Sequence, residues 1–337
     1  MALVGVGLLV LGLTPDLRLH IGHYLAFYAV AVAGYVLVLS APRAADLRIV
    51  IAVALLVRLV MLPATPSLSD DYHRYLWDGR VQLAGINPYR YAPADPALDR
   101  VAYADRALIN HPGVRTIYPP LAELVFAGDA VAHGGLLGLK LLFGAVDLLV
   151  AGLVALLAAR ERRREAATLW LLCPLVVVQT WHSAHLEVLA VALVVVSALL
   201  LVRRRDAWSG AALGLATALK VFPAFLLVPV LVGGRARLRR FAPAFLVALG
   251  LPYLPYLASG AALGSLRDTG ARPEGNAPVF SLVHLVLPYE VARAVMVVAF
   301  AVGAVLIARR LPGRRQTVEA FAWIRCTCGK LAPASVD

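Results

Sequence analysis

The 337-residue chain is 61% hydrophobic and only 15% charged, and its mean hydropathy is +0.79. A soluble domain is typically about half apolar and a quarter charged, so this composition excludes one and points to an integral membrane protein. The net charge of +12 does not signal nucleic acid, because the arginines fall in short clusters almost free of aromatic residues: Arg43 and Arg48, then 160 to 165, 203 to 206, 233 to 240 and 309 to 315.

In chain order, residues 2 to 14 have the length of a signal-peptide core but no basic start, and another apolar run follows at once; they read as a short first helix. Runs at 22 to 41, 47 to 63, 136 to 159, 184 to 202, 241 to 258 and 290 to 308 are each about long enough to cross a hydrocarbon core as a helix. Alternating strands of the kind a barrel needs are not the pattern here. Basic clusters mark cytoplasmic loops, which makes the segment from 64 to 118 extracytoplasmic. It carries six Asp and six Arg, the balance of a folded surface. If both 119 to 132 and 136 to 159 crossed, "RERRRE" would lie outside, so "PPLAELVFAGDAVA", with Glu123 and Asp129, is expected to be a half-inserted or interfacial helix. Residues 207 to 232 lie between two basic clusters and are expected to form a hairpin broken at "KVFP" (220 to 223). Irregular backbone at membrane depth is tolerated only where protein or a water-filled cavity covers it, so both pieces point to a cavity. The expected organisation is N-terminal membrane helices over 1–63, an extracytoplasmic loop over 64–118, a helical core over 119–310 and a polar tail over 311–337.

The polar residues gather at the extracytoplasmic ends: the 64 to 118 loop, "TWHSAHLE" at 180 to 187, and the 259 to 289 loop with "RDTGARPEGN". Polar groups above hydrocarbon suit a substrate with a charged head and a lipid tail, such as a polyprenyl-phosphate sugar. The densest stretch is "SDDYHRYLWDGRVQLAGINPYRY", 69 to 91. Ser67 or Ser69 can cap a helix whose first turn holds Asp70 and Asp71. Asp71, Arg74 and Asp78 then share one face, and Tyr72, Leu76 and Trp77 can lie in the interface. The plain reading is an amphipathic interfacial helix. The chemical reading makes Asp70 or Asp71 a base toward an attacking hydroxyl, with Arg74 and Arg80 as phosphate partners. "GINPYRY" adds a turn at Gly85 and Asn87-Pro88, and tyrosines suited to stacking on a sugar. Lys220, at a helix break in the membrane, is a candidate for the donor phosphate. Lys140 and Asp147 share a helix face and can pair with neighbours. His182, His185 and Glu187 form a candidate ligand set for a divalent cation, the one cofactor left open, and Cys326 with Cys328 a weaker one. Cys173, Cys326 and Cys328 supply no disulfide framework. No GxGxxG, Walker, HExxH or GxSxG motif occurs.

"DDYHRYLWDGRVQLAGINPY", "YPPLAELVF" at 118 to 126, "HLEVL" at 185 to 189 and "LKVFPAFLLVP" at 219 to 229 together resemble the GT-C glycosyltransferases, and are most similar to bacterial glycosyltransferase family 87. The resemblance runs through roughly residues 47 to 260. It implies an all-α polytopic bundle with about 9–11 membrane helices, half-inserted ones included, in the plasma membrane. It further implies an inverting enzyme that moves a hexose, mannose first, from a polyprenyl-phosphate donor to an extracytoplasmic glycolipid or polysaccharide acceptor, with an acid of the first large outer loop as base. By position that acid is Asp70 or Asp71. The substrate-binding candidates are Arg74, Trp77, Asp78, Arg80, Asn87, Tyr89, Tyr118, His185, Glu187 and Lys220. Where the family often reads His-Asn-Asp, this chain reads His185-Leu186-Glu187, and "EAFAWIRCTCGKLAPASVD" is a polar end where the family usually continues with further spans. The competing reading is a transporter or flippase of a lipid-linked saccharide, although no internal repeat of the transporter kind is visible.

Overall fold

The computed structural model describes residues 1–40, 46–232, 235–259 and 278–310. Among them every regular element is helical, as expected where a bilayer offers no partners for backbone polar groups. In chain order the α-helices are α1 (Ala2–Leu13), α2 (Ile21–Ser40), α3 (Leu47–Met61), α4 (Asp71–Leu83), α5 (Pro120–Val131), α6 (Gly135–Leu157), α7 (Arg163–Leu171), α8 (Pro174–Val177), α9 (Glu187–Val202), α10 (Asp206–Leu219), α11 (Leu227–Val232), α12 (Arg235–Gly250), α13 (Pro278–His284) and α14 (Tyr289–Arg310). Among the described residues three stretches are long and apolar enough to cross a membrane: Ile21–Ser40, Gly135–Leu157 and Leu238–Leu257. Shorter apolar helices, among them α1 and α9, pack with them. The surface is apolar in the manner of a membrane bundle. On α2 only Ala31, Gly34 and Val38 are buried, while Leu25, Val36, Leu37 and Leu39 face outward.

Small residues set the close helix contacts, the usual device where lipid removes the hydrophobic drive between helices. Gly210 and Gly214 bring α10 against α12, where an added Cβ would lie 2.2 Å from the Phe241 carbonyl oxygen and 2.4 Å from that of Phe245. Polar side chains fasten α3 to α6. Arg58, on α3, donates from Nε to Asp147 Oδ2 at 2.7 Å and from Nη1 to the carbonyls of Ala54 and Leu171. Trp170 and Trp181 each donate an indole N–H to Asp147 at 2.8 Å. Lys140 Nζ donates to the carbonyls of Met61 (3.0 Å), Leu62 (3.2 Å) and Ala64, satisfying acceptors that the end of α3 leaves open. Lys140 and Asp147 thus pair with neighbouring elements, and Arg58 is the partner that periodicity alone did not single out.

The two pieces expected to be irregular are short or interrupted helices. With its twelve residues, α5 spans about 18 Å at 1.5 Å per residue, well short of a ~30 Å hydrocarbon core. It turns into α6 through His133 (φ 52) and Gly135 (φ 61). After α10 stops at Leu219, Lys220 is extended (φ −149), and a 3-10 turn, Phe222–Leu226, leads into α11. A third irregular piece was not foreseen. The chain runs from α7 through Cys173-Pro174 and α8 into a π-helical turn, Val178–His182. Turns of this kind are rare and frequently lie at functional sites.

The helix ends sort by charge. The end of α3, the start of α6, the start of α9 and the end of α10 lie at one end of the bundle, joined by Lys140 to Met61 and by Lys220 to Glu187. Arg48, Arg160 to Arg164 and Arg203 to Arg205 sit at the opposite termini of the same helices. One face of α4 and the segment that follows it share a small core of Trp77, Val81, Leu98, Val101 and Ile109.

Candidate active site

The site starts at the first turn of α4. Asp70 is its N-cap residue, and the Asp71 N–H donates to Ser69 Oγ at 3.3 Å. Ser67 faces elsewhere and accepts the Leu17 N–H at 2.9 Å. Adjacent positions on a helix point about 100° apart, so the two acids separate. Asp70 turns outward to Arg18, whose Nη2 and Nη1 donate to its two oxygens at 2.7 and 3.3 Å. Asp71 turns inward. Its Oδ1 accepts from Asn110 Nδ2 at 3.1 Å, and its Oδ2 lies 3.8 Å from His185 Nε2.

The π-helical turn delivers His185. The His185 N–H donates to the Gln179 carbonyl at 2.9 Å, and Nδ1 makes a short hydrogen bond to Gln179 Oε1. The preceding residue, Ala184, is left-handed at φ 54, an uncommon conformation for alanine that surrounding structure must impose. A carboxamide oxygen can only accept, so it holds the proton on Nδ1 and leaves Nε2 as the acceptor of the neutral ring.

Glu187, at the start of α9, pairs through Oε1 with Lys220 Nζ at 2.9 Å. That ammonium lies 5.5 Å from the centroid of the Tyr118 ring, close enough for a cation–π contact. Tyr118 is set by its own supports. Its carbonyl accepts the Tyr89 hydroxyl at 2.7 Å, and its N–H donates to Thr116 Oγ1 at 3.3 Å. Thr116 in turn donates to Glu123 Oε1 at 2.6 Å, and Gln82 Nε2 donates to Glu123 Oε2 at 2.9 Å. Tyr75 packs edge-on to Tyr118 (5.1 Å between centroids) and stacks on Phe126 (4.5 Å). Burial pushes both the Tyr75 and Tyr118 phenols well above their ordinary range, and Asp71 and Glu187 add to the shift in each. Both therefore stay protonated.

Below this layer, Arg74 Nε donates to both oxygens of Asp78 at 3.0 and 2.9 Å, and Nη1 donates to the Val114 carbonyl at 2.9 Å. Burial raises the Asp78 carboxyl above its ordinary value although Arg74 opposes the shift. Asp78 and Glu123 interact across α4 and α5, and neighbouring buried carboxyls favour holding one proton between them.

At the level of sequence, residues 116–332, more than half of the chain, match glycosyltransferase family 87. The chain belongs to this family. No curated protein and no solved structure matches it. Membership makes the protein a membrane glycosyltransferase. The family 87 match contains Tyr118, His185, Glu187 and Lys220, whereas the acidic stretch of α4 lies ahead of it; tertiary structure joins the two.

Of the residues marked out in the sequence of this family 87 member, the fold brings together Asp71, Tyr118, His185, Glu187 and Lys220. Arg74 and Asp78 lie beneath them as a buried pair, and Tyr89 supports Tyr118. Asn87 accepts the Tyr89 N–H through Oδ1 and shapes the turn. Trp77 is not at an interface: it is 1% exposed within the small core that α4 shares with the following segment, with the Arg106 guanidinium 5.1 Å from its ring. Arg80 faces away from Asp71. It stacks on Tyr103 and lines a separate pocket of about 220 Å³ with Asp129 and His133. His182 and His185 diverge, His182 Nε2 facing Ser67 Oγ at 3.5 Å. Among the described residues no group of three His, Cys, Asp or Glu side chains converges as a metal site. Cys326 and Cys328 lie outside the described residues, as does most of the 259 to 289 loop. Asn110, Gln179, Arg18 and Tyr75 were not singled out beforehand. Only Tyr75, one helical turn after Asp71, carried a local signal.

Proposed function

We propose that this family 87 enzyme is of GT-C type and transfers a hexose, mannose in the first instance, with inversion, from a polyprenyl-phosphate donor to a glycolipid or polysaccharide acceptor outside the plasma membrane. In this reading an acceptor hydroxyl attacks the anomeric carbon while Asp71 takes its proton. The bond from that carbon to the phosphate oxygen breaks, and polyprenyl phosphate leaves with the electron pair. Lys220, which spends one of its three N–H bonds on Glu187, faces the charge that develops on the leaving oxygen. Glu187 keeps that ammonium beside Tyr118.

The carrying observation is that Asp71 stands with His185, Glu187 and Lys220 at one end of an apolar bundle, whereas both oxygens of Asp70 are engaged by Arg18. The basic clusters at the opposite helix termini favour placing that end outside. The test uses the full chain, purified in detergent, with a panel of polyprenyl-phosphate sugars and a lipid-linked saccharide acceptor. Release of polyprenyl phosphate coupled to glycosylation of the acceptor is the expected result. Donor binding without release from any member of the panel would sink the transferase chemistry and favour transport, since detergent leaves no bilayer to cross.

A further inference from the structure

Asp70 and Asp71 are neighbours in sequence with unlike partners. Both oxygens of Asp70 accept from the Arg18 guanidinium. Asp71 meets a neutral group instead: its Oδ1 accepts from Asn110 Nδ2 at 3.1 Å, while Oδ2 lies 3.8 Å from His185 Nε2. A carboxylate only accepts, which fixes the Asn110 amide with its nitrogen toward Asp71. The contrast bears on which acid can act as a base. A guanidinium favours the ionised carboxylate and opposes proton uptake, whereas an amide orients one oxygen without a full opposite charge. The Asp71 side chain is 35% exposed, so a substrate hydroxyl can reach it.

Asn110 is delivered by a stretch of chain that is held on both sides. Before it, Arg106 anchors the 3-10 turn Arg106–Leu108 through the carbonyls of Pro93 and Asp95, and Ile109 is buried beside Trp77, Val81, Leu98 and Val101. After it, His111 is left-handed at φ 47, a conformation uncommon outside glycine that the surroundings must hold. The Pro112 carbonyl then accepts the Ala94 N–H at 2.8 Å, and the Val114 carbonyl accepts from Arg74 Nη1 at 2.9 Å. These contacts fix the path of the chain independently of the Asn110 side chain, whose amide is thereby presented to Asp71. We infer that Asn110 is a positioning residue for the transfer. By holding Asp71 Oδ1 it makes Oδ2 the oxygen that takes the proton of the attacking hydroxyl as the bond to the anomeric carbon forms. This rests on the transferase reading above, with Asp71 as base.

The test uses Asn110→Ala and Asn110→Asp in the full chain in detergent, with polyprenyl-phosphate mannose and a lipid-linked saccharide acceptor. In Asn110→Ala kcat should fall about tenfold, the scale of one hydrogen bond to a charged group, at unchanged KM for the donor and unchanged melting temperature. The same replacement made in Asp71→Asn should cost nothing further, as a double-mutant cycle requires of a residue that acts through Asp71. Asn110→Asp sets a second carboxylate against the first, and two such groups favour holding one proton between them. At neutral pH that proton occupies the base, so this variant should be slower than Asn110→Ala and should gain rate, relative to wild type, as pH rises. His185, facing Oδ2, and the Tyr75 and Tyr118 phenols, which feel the Asp71 charge, are common to both proteins, so the difference between the profiles belongs to position 110. Wild-type kcat in Asn110→Ala, an equal loss in the Asp71→Asn background, or a profile for Asn110→Asp parallel to wild type would each overturn the assignment. So would a fall in melting temperature that matches the fall in activity. Wild-type inactivity with every donor counts against the transferase reading; an active wild type beside an indifferent Asn110→Ala counts against Asn110 alone.

Discussion

Replacing Asp71 by Asn, with Asp70→Asn beside it, separates two neighbouring acids that share charge and helix position. In Asp71→Asn the side-chain oxygen can still accept from Asn110 Nδ2, now at 3.1 Å from Oδ1, and the volume is kept. What disappears is the capacity to take a proton, which for a positioned base contributes about 10² to 10⁴ in rate, or about 3–5 kcal/mol of barrier at 1.36 kcal/mol per decade. The effect on folding is small by comparison. Asp71 and His185 are 35% and 21% exposed, and a partly exposed pair is worth about 0–1 kcal/mol. Charge at the N-terminus of α4 adds about 0.3–1 kcal/mol. Asp70→Asn breaks the pair with Arg18, whose side chains are 39% and 55% exposed; it should cost about 0.2–1 kcal/mol of stability and leave turnover near wild type. Initial rates of polyprenyl phosphate release, read with circular-dichroism melting in the same detergent, decide the matter. If Asp71→Asn keeps more than half of wild-type activity, or if Asp70→Asn is the inactive variant, Asp71 is not the base.

Gly210→Ala places a Cβ 2.2 Å from the Phe241 carbonyl oxygen and should destabilise the bundle by about 1–3 kcal/mol through overpacking, seen as a lower melting temperature at unchanged KM. Arg58→Met leaves Asp147 charged among indoles and should cost about 3–5 kcal/mol; adding Asp147→Asn removes the charge and keeps one side-chain oxygen to accept from Trp181, Trp170 retaining the backbone carbonyl of residue 147, so the double variant should melt above Arg58→Met. The buried Asp78 carboxyl, its pKa raised, binds its proton more tightly folded than unfolded. Its contribution is fully present below the ordinary carboxylate pKa of about 4 and is lost as pH climbs through the raised value. Melting temperatures measured upward from pH 4 should register this loss together with that of the neighbouring Glu123 carboxyl, and the double variant Asp78→Asn, Glu123→Gln should flatten that part of the profile.

The membrane class and most of the helices were legible because both depend on local composition. An apolar run either reaches across the hydrocarbon or does not, and 135 to 157 does. The break at 220 to 223 was legible for the same reason, since proline acts within a turn or two; the one ahead of residue 136 followed from keeping the basic cluster at 160 to 165 inside. The residues 69 to 91 announced themselves by type, being polar and aromatic where the rest is apolar. Their individual roles did not. Trp77 belongs to the small core that α4 shares with the following segment and Arg80 to a different face, and their partners Arg106 and Tyr103 come from a stretch with little periodicity.

From its sequence alone, this protein was determined to be an all-helical membrane chain with its chemistry gathered around α4 and three later polar points. Only the tertiary structure decided that Asp71 rather than Asp70 faces those points, because the deciding partners lie far along the chain: Arg18 is 52 residues from Asp70, and Asn110 is 39 residues from Asp71. It likewise decided that Tyr75 packs edge-on to Tyr118, and that Glu187 and Lys220 meet at the ends of separate helices. Periodicity says which way a side chain points from its own helix, but what stands opposite depends on how the helices pack, and packing is a property of the whole bundle.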